Sequence, residues 1–402
     1  MSLFLPYRRT LRRVVVRNRI LRSLFILLVG WNLIEVHLIL NRISAADLLS
    51  HPEPPRKERI FIASTHWNNE LVLRSHWNQA VSDLARKLGP DHVYISIYES
   101  GSWDNTKAAL MDLDAELDQL QIPRTIATSH VTHADEINAP PTDHGWIVTP
   151  RGRPELRRIP FLSRQRNLSL KPLEDLAQQG VTFDKILFLN DVVFKPNDVF
   201  ALLDTNHGDY AAACSVDFSK PPNYYDTFAL RDARGHEAVS STWPFFRDAA
   251  TRRGMKHFTP IPVKIAMDAA PFLAATPLRF RGIPDSLALS HLEGSECCLV
   301  HADNPLTAQH GVYLNPLVRV GYNGPAYDAV NPTKNWLSAG SILKGLWINR
   351  IRRWMTTPFF QDMKVRRLVN RWAAQSEDHR EPGVFCIINE MQVLIDRGWA
   401  HV

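Results

Sequence analysis

KILFLNDVVF, residues 185–194, sets an amide and a carboxylate, Asn190 and Asp191, between two apolar runs. The flanking residues suit a strand covered on both faces. Burying an uncharged polar group without a partner already costs roughly 2–7 kcal/mol, and a lone carboxylate more. Either the strand ends at the polar pair or a cation meets it. Two readings of Asp191 stand side by side. It caps the next helix, which Lys195-Pro196-Asn197-Asp198 can start without it. Or it ligates magnesium or manganese, hard cations that also neutralise a diphosphate.

Working outward, strands and helices alternate. RIFIAST (59–65) is followed by an amphipathic run from Asn69 to Leu88 ending at Gly89, then by HVYISIYE (92–99), a helix near 105–120 and TIATS (125–129). This order predicts a parallel sheet with crossover helices. A proline- and charge-rich loop is expected over 130–155, a helix over 159–179 closed by Gly180, and then KILFLND as the next strand. Ligands of open parallel sheets gather at the carboxyl ends of strands, where Asn190 and Asp191 fall.

The chain has 402 residues and a net charge of +6, but seven arginines lie within residues 1–22, and subtracting them leaves −1. A folded body so balanced carries no stripe for nucleic acid. Residues 23–40, SLFILLVGWNLIEVHLIL, approach the ~20 residues of a membrane helix. Asn41 and Arg42 follow in place of a cleavage site, which predicts an uncleaved signal-anchor with the arginines cytoplasmic and the rest lumenal. The competing reading is an amphipathic surface helix with Glu35 and His37 on its wet face. Residues 41–58 read as a stem, 59–333 as the catalytic or binding domain, and 334–402 as a basic helical extension. In that extension nine basic residues between 334 and 371 interleave with Trp336, Trp347 and Trp354, facing either a membrane or an acidic glycan, or packing by the tryptophans. Four cysteines without CxxC spacing exclude a zinc ribbon and leave room for one bridge, for instance from Cys386 to one of the others.

Several stretches carry candidate chemistry. IYESGSWDNTKAAL (97–110) places Glu99 at a strand end and Asp104 at a helix start, to bind a base or ribose or to cap; there is no GxGxxG in the chain. FLSRQRN (161–167) offers Arg164, Arg166 and Asn167, with Arg166 suited to grip a diphosphate or to lie solvated. An Asn167 at work in the site leaves its Asn-Leu-Ser sequon unused. SVDF (215–218), NYYDTFALRD (223–232) and LEGSECCL (292–299) set acids beside aromatic or small residues, as sugar sites do. Glu296 is the candidate nearest a reacting carbon, with Asp217 as its rival.

In this order, FIAS, VYISIYESGSWDNTK, FLSRQRN, KILFLNDVVF, SVDF, YDTFALRD, DAAPF, LRFR, SECCL and VRVGY resemble the fungal capsule-associated α-1,3-mannosyltransferase family, glycosyltransferase family 69, over residues 59–322. The resemblance implies a GT-A-like α/β fold and a Golgi single-pass type II membrane enzyme. It further implies transfer of mannose from GDP-mannose to a mannose-containing glycan with retention, with Mn2+ (or Mg2+). By analogy Asp191, joined by His310, holds the metal; Glu99, Asp104, Arg166, Asn167 and Asn190 meet the donor; Tyr225, Asp226 and Asp232 meet the acceptor; and Glu296 and Asp217 act on the sugar. Association with other glycan-synthesis proteins fits the same picture. One departure is plain. Before DAAPF the family carries a Ser-Cys-Trp-Asn-Gly-like segment, and PIPVKIAM has neither the tryptophan nor the Asn-Gly. That departure motivates an alternative, a lumenal binding or assembly subunit without the reaction; a phosphohydrolase on a similar sheet is a third.

Overall fold

The computed structural model describes residues 19–49, 57–264, 270–274 and 277–402. The arginines before residue 19, most of the linker and the segment 265–269, which includes the first two residues of DAAPF, lie outside the described residues. Helix α1 (Arg19–Leu49) does not stop at residue 40 but continues into the expected stem as far as Leu49. Its carboxyl half lies on the body: Val36, Ile39, Ile43 and Ala46 are buried. Glu35 is not on a wet face, because Lys256 and Arg350 both pair with it.

Three parallel strands follow, β1 (Ile60–His66), β2 (Val93–Glu99) and β3 (Arg124–Thr128), with Ile60 opposite Val93 and Ile95 opposite Arg124. Parallel pairing needs crossovers. Helices α2 (Asn78–Leu88) and α3 (Thr106–Gln119) supply them. A π-turn at Leu73–Trp77 leads into α2. Along β1, Ile60 and Ile62 join the core on one face of the sheet while Phe61 and Ala63 join the core on the other. That two-sided burial is why these strands read as unbroken apolar runs.

The stretch expected as a loop over 130–155 is partly built. It holds α4 (His133–Asn138), started by a Thr132–Asp135 capping box, and a hairpin of β4 (Trp146–Val148) and β5 (Pro154–Leu156). Helix α5 (Arg158–Gln178) follows as expected, and β6 (Lys185–Phe188) pairs in parallel with β1. The chain leaves the ladder just after Phe188, so Asn190 and Asp191 stand beyond the strand. Helix α6 (Pro196–Leu203) starts with Asp198 accepting from the Lys195 N–H, without help from Asp191.

The second half adds β7 (Ala212–Lys220), β8 (Asn223–Tyr224), α7 (Ala249–His257), β9 (Ile261–Val263), β10 (Ala270–Leu273), β11 (Glu293–Gly294), α8 (Glu296–Asp303) and β12 (Val312–Gly321). The main sheet runs β3-β2-β1-β6-β10-β7-β12-β9, with β8 on β7. Strand β10 is antiparallel to both neighbours, and β7 and β12 are parallel. This is the expected mixed α/β arrangement around a central, mostly parallel sheet. The last segment comprises α9 (Ala339–Met355), α10 (Phe359–Ala373), β13 (Ile387–Ile388), which pairs with β11, and a hairpin of β14 (Gln392–Ile395) and β15 (Gly398–His401). A disulfide joins Cys298 of α8 to Cys386, with Cα atoms 5.6 Å apart.

Candidate active site

A cleft of about 440 Å³ opens at the carboxyl ends of β1, β6, β7 and β12. Thr65 and His66 reach it from β1, Asn190 and Asp191 from the turn after β6, and Tyr225 and Asp226 from the turn after β8. Tyr322 follows β12, Glu296 opens α8, and Arg158 and Arg166 project from α5. The carboxyl-terminal hairpin closes it with Gln392 and Trp399, so residues beyond 333 help to line the cleft.

Arg166 organises one wall. Its Nε donates to Glu296 Oε1 at 3.1 Å and its Nη1 to Asn190 Oδ1 at 2.9 Å. The guanidinium also lies 5.1 Å from the Phe188 ring and 5.5 Å from the Phe280 ring, two rings packed edge-to-face on each other. Arg158 lies 4.5 Å from the Trp399 ring and donates to Gln392 Oε1 at 2.6 Å. Under the turn, the buried Trp77 donates to the Asn190 carbonyl at 3.0 Å and sets its ring against His66 at 4.5 Å. The π-turn before α2 ends at Trp77, a placement that the amphipathic pattern did not reveal.

Asp191 is half-buried, and Asn69 Nδ2 donates to its Oδ2 at 2.8 Å. No other donor reaches this carboxylate among the described residues. Among them, too, no group of three or more His, Cys, Asp or Glu side chains converges as a metal cage. A single carboxylate beside room for a diphosphate nonetheless fits magnesium or manganese, which take one or two protein carboxylates and fill their shells with substrate phosphates and water.

Asp226 faces Glu296 across the cleft, and burial pushes its carboxyl pKa up, with Glu296 adding to the rise. Behind it Asp217 is fully buried in β7 and does not line the cleft; its Oδ2 accepts from the Asp226 N–H at 3.1 Å. Burial, and then the nearby Asp226, raise the Asp217 pKa to about 7. Burial lowers the His66 pKa to about 4 against the pull of Asp191, which keeps this imidazole neutral.

Other expected site residues fall elsewhere. His310 cannot join Asp191. It precedes β12, which runs alongside β7 from Ala212 to Phe218 and so separates it from the cleft by about 20 Å, and it pairs with Asp209 at 2.6 Å instead. Glu99 is spent inside the fold: it accepts from Ser102 N at 2.5 Å and pairs with Lys107 at 3.3 Å. The turn between them needs Gly101 at φ 69°, where a Cβ would lie 1.8 Å from the Val131 carbonyl oxygen. Asp104 accepts from Thr106 N and Glu70 N, each at 3.0 Å, the capping alternative. Asn167 clamps the Phe280 backbone through both ends of its amide and lies outside the cleft. Asp232 is buried and accepts from Arg234, His236 and Asp248 amides, so it organises a loop and cannot touch an acceptor.

The residues that sequence reasoning missed are His66, Trp67, His133, Arg158 and Trp399. The Trp67 and His133 rings stack 4.0 Å apart at the mouth, across segments that no local pattern connects. Arg158 was within reach of the sequence, since it opens the same helix as Arg166.

No curated protein matches the chain by sequence. Among solved structures, mannosyltransferase PcManGT from Pyrobaculum calidifontis, in complex with GDP-Man and Mn2+, is similar with 14% identity and a TM-score of 0.34, covering 88% of this chain and 78% of that one. TarS 1–349 from S. aureus is similar with 10% identity and a TM-score of 0.35, covering 75% and 73%. GalNAc-T7 with UDP, GalNAc and Mn2+ has 12% identity and a TM-score of 0.36, covering 66% and 43%. Likenesses this distant carry no argument about chemistry. The family model described as Cryptococcal mannosyltransferase 1 matches residues 59–303, well over half of the chain and every acidic group of the cleft, and the chain therefore belongs to that glycosyltransferase family.

Proposed function

We propose that the protein transfers mannose from GDP-mannose to a mannose-containing glycan, forming an α-1,3 linkage with retention, with Mn2+ (or Mg2+), as a single-pass type II Golgi enzyme whose catalytic domain is lumenal. One observation carries the reading: Asp191, Asp226 and Glu296 converge with Arg158 and Arg166 in a single family-matched cleft. Acids for a sugar and cations for a diphosphate are the pairing that a nucleotide-sugar transferase needs.

Asp191, with the donor's phosphate oxygens, would hold the metal, which when bound neutralises charge on the departing diphosphate. Arg166 and Arg158 face the same leaving group, Arg166 pre-set by Glu296 and Asn190 and Arg158 by Gln392 and Trp399. Tyr225, Tyr322 and Trp399 offer ring faces to sugars. The bond from the anomeric carbon to diphosphate oxygen breaks as the acceptor oxygen bonds to that carbon from the same face. Glu296 stabilises the positive charge on the ring and takes the acceptor's hydroxyl proton. Asp217 holds the Asp226 amide from behind and acts as a positioning residue.

The test is GDP release from GDP-mannose with manganese, in the wild type and in Asp191→Ala. Loss of turnover in the variant is expected; equal turnover ends the metal role, and release from another nucleoside diphosphate sugar in its place ends the donor assignment. The missing tryptophan and Asn-Gly before DAAPF favour a second reading, a binding or assembly subunit. GDP binding without turnover of any mannoside acceptor would establish that reading.

A further inference from the structure

We infer that the corner between α9 and α10, residues 354–363, dips into the same bilayer as α1, so that the catalytic body is set in the membrane surface and does not swing on a stem. The inference rests on reading α1 as a membrane anchor and goes beyond the chemistry of the cleft. Among the described side chains of α1, the run from Arg22 to Trp31 contains none that is buried, a rise of about 15 Å at 1.5 Å per residue. A bilayer core of ~30 Å needs ~20 residues, so a spanning α1 must use its length to about residue 40. That stretch is already packed on α9: Asn32 accepts from the Trp347 indole at 2.9 Å, and Glu35 pairs with Arg350. Ser44, three turns further along α1, meets Asn335, which precedes α9. The two helices are therefore antiparallel, and the carboxyl end of α9 points toward the lipid-facing end of α1.

What α9 carries in that direction is apolar and bare. Trp354 is 70% exposed, Met355 80% and Phe360 69%, with Phe359 and Met363 beside them. Arg352, Arg353, Lys364, Arg366 and Arg367 surround this tip, with Asp362 as the one acid of α10. The pairing of Asn32 with Trp347 and of Glu35 with Arg350 sets this tip beside the exposed first turns of α1, and the long stems of its cationic neighbours let their charges reach back toward polar surroundings while the rings enter lipid. The pose is rigid because Gly345 brings α9 onto the backbone at Trp243, where a Cβ would lie 2.1 Å from the carbonyl oxygen. It also gives Glu35 a reason to sit in an apolar helix, since Lys256 and Arg350 compensate its charge.

The full chain, reconstituted in vesicles of phosphatidylcholine and phosphatidylserine, tests this with an environment-sensitive fluorophore at Met355→Cys, Leu27→Cys or Met111→Cys. Met111 is exposed on α3, which packs by β3 at the sheet edge remote from β9, and the native free cysteines, Cys214 and Cys297, are buried. The Met355 and Leu27 probes are expected to shift to the blue and to be quenched severalfold by doxyl-labelled lipid, with the Met111 probe unaffected. A quenched Leu27 probe with a Met355 probe as water-exposed as Met111 overturns the inserted corner alone. A Leu27 probe left in water overturns the anchor and the inference with it. None of these readouts involves donor turnover, so they stand apart from the fate of the proposed reaction.

Discussion

Arg166 Nε donates to Glu296 Oε1 at 3.1 Å while the Nη1 of the same guanidinium donates to Asn190, joining α5, α8 and the turn after β6 through one side chain. Both partners are nearly out of water, with 14% and 4% of their side chains exposed. The pair therefore sets the shape of the cleft wall as well as its charge.

Replacing Arg166 with methionine strands Glu296, and losing one partner of a buried pair costs about 3–5 kcal/mol. A fall in denaturation midpoint with unchanged slope checks this. Arg166→Lys keeps the charge but not the fork, and should fold while losing turnover on the order of 100-fold, the cost of one preorganised donor.

Glu296→Gln preserves the shape and still accepts from Arg166. If the carboxylate carries charge or proton in the transition state, kcat falls by ~10²–10⁴ while GDP affinity is nearly unchanged. A variant with kcat intact and only KM altered would remove Glu296 from the chemistry.

Asp217 predicts a pH signature in stability. Its folded pKa is raised to about 7 while the unfolded chain titrates near the usual carboxylate value, so between about pH 4 and 7 the native state holds the extra proton. Stability then falls as pH rises through that window. The neutral His66, with its pKa lowered to about 4, tilts the curve the other way, losing stability as pH drops below the ordinary imidazole range. The difference between Asp217→Asn and wild type isolates the first effect: the variant should gain relative stability up to pH 7 and hold level above it. A pH-independent difference, read by chemical denaturation, would contradict it.

The Cys298–Cys386 bridge closes a separation of 88 residues. On the loop-entropy account that is worth about 4–5 kcal/mol. Cys386→Ser should lower the melting temperature, and activity with it, because Cys298 lies two residues beyond Glu296. Reductant should do the same to the wild type and nothing more to the variant.

Trp399→Ala removes the ring against Arg158, a contact worth roughly 0.5–2 kcal/mol. The expected result is a rise of two- to thirtyfold in KM for the donor with little change in melting temperature. A normal KM would show that the hairpin is only a cover.

The parallel half of the fold was readable because β1, β2 and β6 are buried on both faces and separated by helices of ordinary length, so apolar runs and turns are locally encoded. Strand β10 was not readable: four residues fix neither the partner nor the direction, and it inserts antiparallel between β6 and β7, strands from distant parts of the chain. The cleft shows the same division. Asp191 and Glu296 stand where a strand or helix boundary put them, and that much is local. Glu99 and Asp232 have the same residue types in equally suggestive surroundings, but backbone amides folded around them consume their carboxylates.

By itself the sequence determined which segments form the parallel strands, that a polar pair follows KILF, that an apolar helix precedes the body, and which family motifs occur in order. Only the tertiary structure decided which acids share a cleft, that His310 lies at the wrong end of its strand, that Cys298 meets Cys386, and that the last hairpin completes the site. The physical reason is range: periodicity and capping act within a few residues, whereas Asp191 and Glu296 take their donors, Asn69 and Arg166, from more than a hundred residues away.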